Sequence, residues 1–360
     1  MRSQLSRGNR ALLAGIAGGL LLVCLGAPSA LGQARPRADV QLIDKTTPPG
    51  DVLPPGPPIF TCRNVIVDTG SPKTIFDRDC AVGFGLMAGA PPAPVPGFLD
   101  PANPAKRIGG IGGGGIAINQ SRPLSVNAGG LGQPLVRFKD VPNIRVQYPS
   151  PIAGVSLLGT DYMTNLAAGQ ATTMRRDQSV SFYDDENAQV GFHAPFQKRP
   201  GLEGGIRYVF PVGTVVAQGP SGIGSADFTI GTGCPSSIIT SSLAAQLGVV
   251  AGSPVTLDSE TQGELYADEF INMSTQLFNG MIPSLTVNTS DGPLTKTNVP
   301  VWINPDSSEN VFGFPELFFD NDTTEIRVHE FNDVTFAPAP GALGLVGVGT
   351  LLAARRRRVA

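Results

Sequence analysis

The sequence has few charged residues, very little histidine and no basic cluster outside its two ends. Among 360 residues there are 26 Lys and Arg, 29 Asp and Glu and 2 His, and the formal net charge is -3. Such a chain lacks the electrostatic footprint of a nucleic-acid-binding protein, so no nucleic acid is expected as a partner. We expect His193 and His329 to be structural, and the acidic run 320–325 to be a hairpin turn. The sequence predicts neither a metal nor a cofactor.

Cysteine is also scarce. One of the four cysteines, Cys24, lies in an apolar run near the N-terminus, which leaves three for the rest of the chain. In an oxidising compartment Cys62 and Cys80 could pair with each other, a hypothesis that leaves Cys234 over. No histidine has a sequence reason to lie beside Cys234, so we expect a small buried thiol there rather than a nucleophile.

The N-terminal end has the pattern of a secretory signal. Arg2, Arg7 and Arg10 precede the uncharged apolar run 11–27, and the small-residue stretch PSALGQA follows it. This pattern predicts cleavage near Ala34 and export of the mature chain. The sequence leaves open whether the Pro-rich segment that follows is a pro-segment.

The C-terminal end has the pattern of a sorting signal. A Pro-rich step precedes the uncharged segment 341–354 and four arginines, 355–358. As a helix the uncharged segment would span about 21 Å, less than the ~30 Å hydrocarbon core, and would make a poor permanent anchor. The pattern resembles the PEP-CTERM signals of Gram-negative bacteria, although the usual glutamate is absent. A short tail anchor with a positive-inside stop is the alternative.

The resemblance to PEP-CTERM signals has three implications for partners and location. It implies a sorting protease of the exosortase type as a partner, because a membrane protease removes such tails. It implies only transient membrane association, through the C-terminal tail. The mature protein is then expected in the cell envelope, at the cell surface or outside the cell.

Between these ends the sequence favours β-strands. Gly and Pro are abundant, at 45 and 33 residues. Short runs such as VRFKDVPNIRVQ, IPSLTVNT and NVPVWINP cluster β-branched and aromatic residues between turn signals. Only TSSLAAQLGV has a clear helical pattern. The roughly 300 residues involved are enough for two ordinary domains, and the predicted fold class is all-β.

An internal duplication is the most informative feature of the sequence. VIVDTGSPKTIF, at 65–76, has a near-copy in FTIGTGCPSSII, at 228–239, in which Gly231 stands opposite Asp68. Further on, SLLGTDYM at 156–163 corresponds to NVFGFPEL at 310–317. SFYDDENAQVGFH and LFFDNDTTEIRVH each predict a hairpin with an acidic turn. Three elements in the same order predict two copies of one structural unit.

These residues carry a resemblance to a known family. VDTGS after an apolar strand, the glycine-rich IGGIGG some forty positions on, and the later apolar-apolar-Gly element resemble the aspartic peptidases, of both the pepsin and the retropepsin type. The resemblance spans about residues 55 to 331. It implies a two-lobed pepsin-like fold, equivalent to a duplicated retropepsin-like lobe. The second half has no glycine-rich flap, and its counterpart is the segment 259–270.

The resemblance also implies a chemistry and a peptide or protein substrate. Two nearby carboxylates share one proton, so that one activates a water and the other protonates the departing nitrogen. A flap closes over the substrate and excludes water. The implied site residues are Asp68, Thr69 and Gly70; the degenerate second motif Gly231, Thr232 and Gly233; and the flap residues Ile108, Gly109, Gly110, Ile111, Gly112 and Gly113.

Gly231 puts hydrolysis in question. Glycine can neither accept nor donate a catalytic proton, so Asp68 is the only catalytic group predicted. The missing acid would cost on the order of 10²- to 10⁴-fold in rate. Asp227 lies four residues before Gly231 and is not expected to reach the same point.

The predicted organisation divides the chain into six parts. They are a signal peptide (1–34), a Pro-rich N-terminal segment (35–58), a first lobe (59–197), a linker (198–205), a second, degenerate lobe (206–331) and a sorting tag (338–360).

Three functions remain open from the sequence. The first is an exported endopeptidase that uses Asp68 with an unrecognised acid, or with a second Asp68 in a homodimer. The second is an inactive protein of the same fold that binds extended peptides. The third is a structural component of the cell envelope.

Overall fold

A computed structural model describes most of the chain between residues 35 and 338. The described ranges are 35–43, 60–109, 115–132, 135, 141–150, 154–167, 169–185, 191–201, 205–267, 275–319, 323–329 and 333–338. They all belong to one compact unit, Ala34–Ala360, whereas the second unit, Met1–Gln33, contains the predicted signal. That signal and the sorting tag after Pro338 lie outside the described residues. In the described ranges no helix is long and apolar enough to cross a membrane.

Strands make up most of the described chain, so the predicted all-β class is confirmed. The first eleven strands are β1 (Arg37–Ile43), β2 (Cys62–Val67), β3 (Met87–Ala88), β4 (Ala93–Pro94), β5 (Ala105–Gly109), β6 (Gly115–Gly130), β7 (Asn143–Tyr148), β8 (Leu157–Leu158), β9 (Gln170–Arg175), β10 (Val180–Asp185) and β11 (Phe192–Pro195). The others are β12 (Gln197–Pro200), β13 (Ile206–Phe210), β14 (Val215–Gly219), β15 (Gly222–Ser225), β16 (Phe228–Gly231), β17 (Ser237–Thr240), β18 (Phe278–Thr289), β19 (Gly292–Asn304), β20 (Asn310–Gly313), β21 (Thr323–His329) and β22 (Asp333–Pro338).

The helices are short. They are α1 (Arg78–Gly83), α2 (Thr160–Met163), α3 (Ser241–Leu247) and α4 (Ser259–Ala267), with 3-10 turns at Pro96–Phe98 and Phe314–Leu317. The predicted helical pattern is confirmed in α3. Its N-cap Thr240 accepts a hydrogen bond from the Leu243 N–H at 3.2 Å, and Gly248 ends it in the left-handed conformation.

α4 was not predicted. The segment 259–270 is expected to be the counterpart of a flap, whereas Ser259–Ala267 forms a helix. Asp258 starts it, because its Oδ1 accepts a hydrogen bond from the Thr261 N–H at 2.7 Å. Glu, Gln, Leu and Ala in the segment are good helix formers, and Leu265 anchors the helix in a small apolar cluster of the second half.

Three large sheets organise the fold. One contains strands in the order β5-β6-β1-β2-β8, with β7 also paired to β6. A nine-stranded sheet has the order β12-β13-β16-β20-β17-β19-β18-β14-β15. The third, β10-β9-β21-β22-β11, takes strands from both halves of the sequence. Two strands lie outside the predicted lobes. β1 falls in the predicted N-terminal segment 35–58 but is an inner strand of the first sheet, and β22 continues the third sheet beyond residue 331, the predicted end of the second lobe.

The predicted duplication recurs in the strand pairing. β2 pairs in parallel with β8, with Val67 opposite Leu158. β16 pairs in parallel with β20, with Ile230 opposite Phe312. These positions are the ones that the sequence alignment equates, so each half builds the same strand arrangement before its motif.

A glycine is required at the same place in both halves. A Cβ on Gly159 would lie 2.5 Å from the backbone carbonyl of Lys73, and a Cβ on Gly313 would lie 2.4 Å from the backbone carbon of Ser236. Real Cβ atoms do not approach backbone so closely, and backbone in a sheet has little room to shift. The glycine of each apolar-apolar-Gly element is therefore explained by close packing on the motif turn.

We predict that Gly159→Ala destabilises the protein by about 1–3 kcal/mol or more, the cost of overpacking a tight core. Gly97→Ala is the matched control, because a Cβ on Gly97 meets nothing within 4 Å. Urea denaturation of both variants measures the free energy of unfolding. Equal values for the two variants would contradict the packing argument.

Candidate functional site

Two motif turns from the two halves meet through a pair of buried threonines. The Thr69 N–H donates to the Thr232 hydroxyl at 3.0 Å, and the Thr232 N–H donates to the Thr69 hydroxyl at 3.3 Å. Each hydroxyl in turn donates to the strand carbonyl that precedes the opposite motif, of Ile230 and of Val67. The predicted site residues Thr69 and Thr232 are thus brought together, and the N–H and the hydroxyl of each form hydrogen bonds.

Asp68 lies at this junction and is fully buried. Its Oδ1 accepts hydrogen bonds from the Gly70 N–H at 2.8 Å and from the Gly233 N–H at 3.0 Å. Its Oδ2 is buried and has no hydrogen-bond partner among the described residues. The carboxylate therefore joins the backbone of its own turn to that of the other turn.

Glycine in the second motif makes this contact possible. A Cβ on Gly233 would lie 2.6 Å from the Asp68 carboxylate, and a Cβ on Gly231 would lie 2.6 Å from the Val311 side chain. Asp227 does not supply the missing acid, because it accepts hydrogen bonds from Arg199 at 2.6 Å and from the Val212 N–H at 2.8 Å. Among the described residues that form the junction, Asp68 therefore supplies the one carboxylate.

An arginine cluster that the sequence analysis missed lies beside the second motif. Arg35 is fully buried, and its Nε donates to the Gly233 carbonyl at 2.9 Å. Its guanidinium also bonds Glu260, at 2.9 Å, and the Thr261 hydroxyl. Arg37 contacts both carboxylate oxygens of Glu260, at 2.8 and 2.9 Å. This cluster ties the start of β1 to α4 and to the motif turn.

Each half also has a carboxyl group that contacts its motif turn: half-buried Asp161 in α2 and buried Glu316 in the 3-10 turn Phe314–Leu317. In the first half Asp161 accepts hydrogen bonds from the Thr74 hydroxyl at 2.7 Å and from the Thr74 N–H at 3.0 Å. In the second half Glu316 accepts the corresponding bonds from Ser237, at 3.0 and 2.8 Å. The two hydroxyls stand at equivalent positions of the duplication, which was the one sequence signal for this pair.

Burial controls the protonation of these two groups. It raises the pKa of Asp161 to about 6, against the opposing hydrogen bonds from Thr74 and the charge of Lys73. It raises the pKa of Glu316 to about 7, although Lys296 and the hydrogen bonds from Ser237 oppose the shift. Both carboxyl groups therefore titrate near neutral pH.

The predicted flap is described only in part. Ile108 and Gly109 lie in β5, which forms a hairpin with β6 in the register Ile108 to Ile116. Gly110, Ile111, Gly112 and Gly113 lie outside the described residues. β5 is an edge strand, with β6 its one strand partner in the described chain, and α4 lies against it.

The remaining candidate residues, the cysteines and histidines, have structural surroundings. Cys62 and Cys80 form a disulfide, with their Cα atoms 5.4 Å apart, so the pairing hypothesis is confirmed. Cys234 is buried, and its thiol donates to the Ser236 carbonyl. His193 Nδ1 contacts Asp333 at 3.2 Å, and His329 ends β21.

The comparisons with known proteins give a weak structural similarity and no family. No family model and no curated protein matches the chain. Among solved structures the chain is similar to conglutin gamma, a unique basic 7S globulin from lupine seeds. The sequence identity is 10%, the TM-score is 0.41, and the similarity covers 84% of this chain and 95% of that chain.

These findings correct the family assignment. The motifs resemble those of aspartic peptidases, but no family model or curated protein supports that assignment and the similar solved structure is described as a 7S globulin, so the chain is not assigned to that family. The physical reason is visible at the junction. That family's chemistry requires two carboxylates, whereas here Gly231 has none and Asp68 is enclosed by backbone donors.

We predict that Asp68→Ala destabilises the protein, because two buried N–H groups lose their acceptor, at about 1–3 kcal/mol each. Asp68→Asn is the matched control, since its amide oxygen still accepts both bonds, and it is expected to cost less. Thermal and urea unfolding of the two variants measure the difference. A harmless Asp68→Ala substitution would show that the carboxylate does not join the turns.

We predict that the free energy of unfolding falls between about pH 5 and about pH 8. A carboxyl group whose pKa is raised in the folded state stabilises most fully below its ordinary pKa, which is 4.5 for Glu316. That stabilisation is lost as the pH rises through the folded value of about 7, on the order of 3 kcal/mol. Urea denaturation at both pH values measures the fall, and Glu316→Gln should reduce it. An unchanged slope in Glu316→Gln would refute the assignment.

Proposed function

We propose that this is an exported protein that binds an extended polypeptide without hydrolysing it. The observation that carries the proposal is the state of Asp68, which is fully buried and hydrogen-bonded to the Gly70 and Gly233 N–H groups. A carboxylate in this position stabilises the junction between the two motif turns. It offers no open face to a substrate.

Hydrolysis would need two further things at this junction. An acid would have to protonate the leaving nitrogen, and Gly231 has no side chain to do so. A water would also have to reach Asp68 together with the peptide. Both requirements count against catalysis, whereas neither is needed for binding.

The free edge of β5 is the proposed binding surface. An edge strand presents unpaired N–H and C=O groups, and an extended peptide can pair with them as an added strand. β5 carries this edge beside α4, which itself is held by Arg35 and Arg37 through Glu260. The peptide would lie along the edge of β5 that faces away from β6.

Export and the finer fold are parts of the same proposal. The disulfide between Cys62 and Cys80 supports an oxidising compartment, and the terminal sequence patterns support sorting to the cell envelope or surface by an exosortase-type protease. The matching positions of Gly159 and Gly313 support a duplicated, two-lobed arrangement.

Peptide hydrolysis at Asp68 is the second candidate. One observation favours it, namely that the buried Oδ2 of Asp68 has no hydrogen-bond partner among the described residues. Such an atom could hold a water if the junction opened. Binding and hydrolysis are separated by the experiment that follows.

We predict that the protein binds fluorescent peptides of random sequence and leaves an unstructured protein such as reduced casein intact from about pH 3 to pH 8. Fluorescence anisotropy measures binding, and the release of new amino groups measures cleavage. Cleavage that disappears in Asp68→Asn would establish the second candidate. Absence of both binding and cleavage would favour a structural envelope protein.

Two proline variants test the β5 edge. Consecutive residues of an antiparallel strand direct their N–H groups alternately to the partner and away from it. One of Arg107→Pro and Ile108→Pro therefore removes an outward N–H, and that variant should keep its thermal stability. It should weaken peptide binding about tenfold, as the loss of a main-chain hydrogen bond would. Unchanged affinity in the stable variant would exclude the edge as the binding surface.

A further inference from the structure

A polar cavity lies in the first half, at the turn that carries Thr74. Its volume is about 540 Å³, and its lining comes from the motif turn, from α2, from β6 and β7 and from the loop before β5. The lining is almost entirely polar, with Ile144 and Ala102 as its two apolar members among the described residues. An aromatic or lipid ligand would find little surface to bury there.

The carboxylates of the cavity are already occupied by donors. Asp100 is buried and accepts hydrogen bonds from the Ala102 N–H at 3.0 Å, from Gln120 at 2.9 Å and from Arg145 at 3.1 Å. Asp161 accepts both of its bonds from Thr74. A metal ion needs carboxylate oxygens that are free to coordinate it, so these two groups do not provide a cation site.

The cationic groups are balanced in the same way. Arg145 is paired with Asp100, and Lys73 lies close enough to Asp161 to lower its pKa. The cavity has two positive and two negative groups, so it offers no excess charge to an anion. A phosphate or a carboxylate would have to compete with an internal partner for each cation.

Side-chain amides are what remains to contact a ligand. Asn103 and Asn143 are exposed on the rim, and their amides make no hydrogen bond to any described residue. Asn165 uses its nitrogen for the Asp161 carbonyl, at 2.7 Å. An amide offers two donors and an acceptor without charge, which matches a neutral ligand that itself carries donors and acceptors on neighbouring atoms.

We propose that this cavity binds a neutral saccharide. The hydroxyl groups of a sugar are both donors and acceptors, they carry no charge, and a ring or two fills a cavity of this size. The amides of Asn103 and Asn143 hold the sugar at the rim, and Gln120 and Asp100 form the polar floor. The site is separate from the β5 edge and does not depend on the polypeptide proposal.

Saturation-transfer difference NMR with the intact protein tests the site. The probes are glucose, galactose, mannose and N-acetylglucosamine, each titrated alone. We expect saturable binding of at least one sugar in the millimolar range, as for a small polar ligand with few contacts. In the double variant Asn103→Ala with Asn143→Ala the affinity should fall about tenfold, the effect of two lost hydrogen bonds.

Two controls make the result decisive. Gln218→Ala removes an amide from β14 in the other half and should leave sugar binding unchanged. Sodium sulfate and calcium chloride should not displace the sugar, because the two positive and two negative groups of the cavity balance each other. The proposal is overturned if none of the four sugars binds, if the double variant binds as well as the parent, or if either salt competes.

Discussion

The reciprocal hydrogen bonds between Thr69 and Thr232 join turns that lie 163 residues apart in the chain. Both threonines are fully buried, so a bond that is broken here is not replaced by water, and each unpaired group would cost about 1–3 kcal/mol. The bonds position the ends of β2 and β16, and with them the parallel pairs β2 to β8 and β16 to β20. The contact between the two halves of the junction depends on this pair.

That junction determines the hydrogen-bond environment of Asp68. Because the threonines bring the turns together, the Gly233 N–H comes within 3.0 Å of the Asp68 carboxylate. A buried carboxyl group is costly unless it is hydrogen-bonded, and here the two donors to its Oδ1 are backbone groups that cannot turn away. Arg35 contacts the same glycine through the Gly233 carbonyl. The second motif turn is thus held by a carboxylate on one side and a guanidinium on the other.

Local patterns in the sequence predicted the all-β class, α3, the disulfide and the duplication, since each depends on residue type at short range. The predicted hairpin at 181–193 was wrong, because β10 pairs with β9 and β11 with β22. The equivalence of Thr74 with Ser237, and of Gly159 with Gly313, follows from the repeat itself. Arg35 could not be assigned to its site, because its partner Glu260 lies 225 residues away and no short-range pattern links them. α4 was missed because its start depends on the Asp258 side chain and because the resemblance placed a flap counterpart at 259–270. The roles of Asp161 and Glu316 depend on burial, which the sequence does not report.

The family resemblance failed for a reason that concerns motifs in general. In the Asp-Thr-Gly motif the threonine and the glycine serve the backbone, through the hydroxyl bonds of Thr69 and the close packing at Gly233. Only the aspartate carries chemistry, and in the second half that one position is Gly231. A chain can therefore keep most of the motif because its fold needs those residues, even when the reaction is absent. The same explanation applies to Asp68. Its hydrogen bonds to the Gly70 and Gly233 N–H groups give it a structural role that does not depend on a substrate.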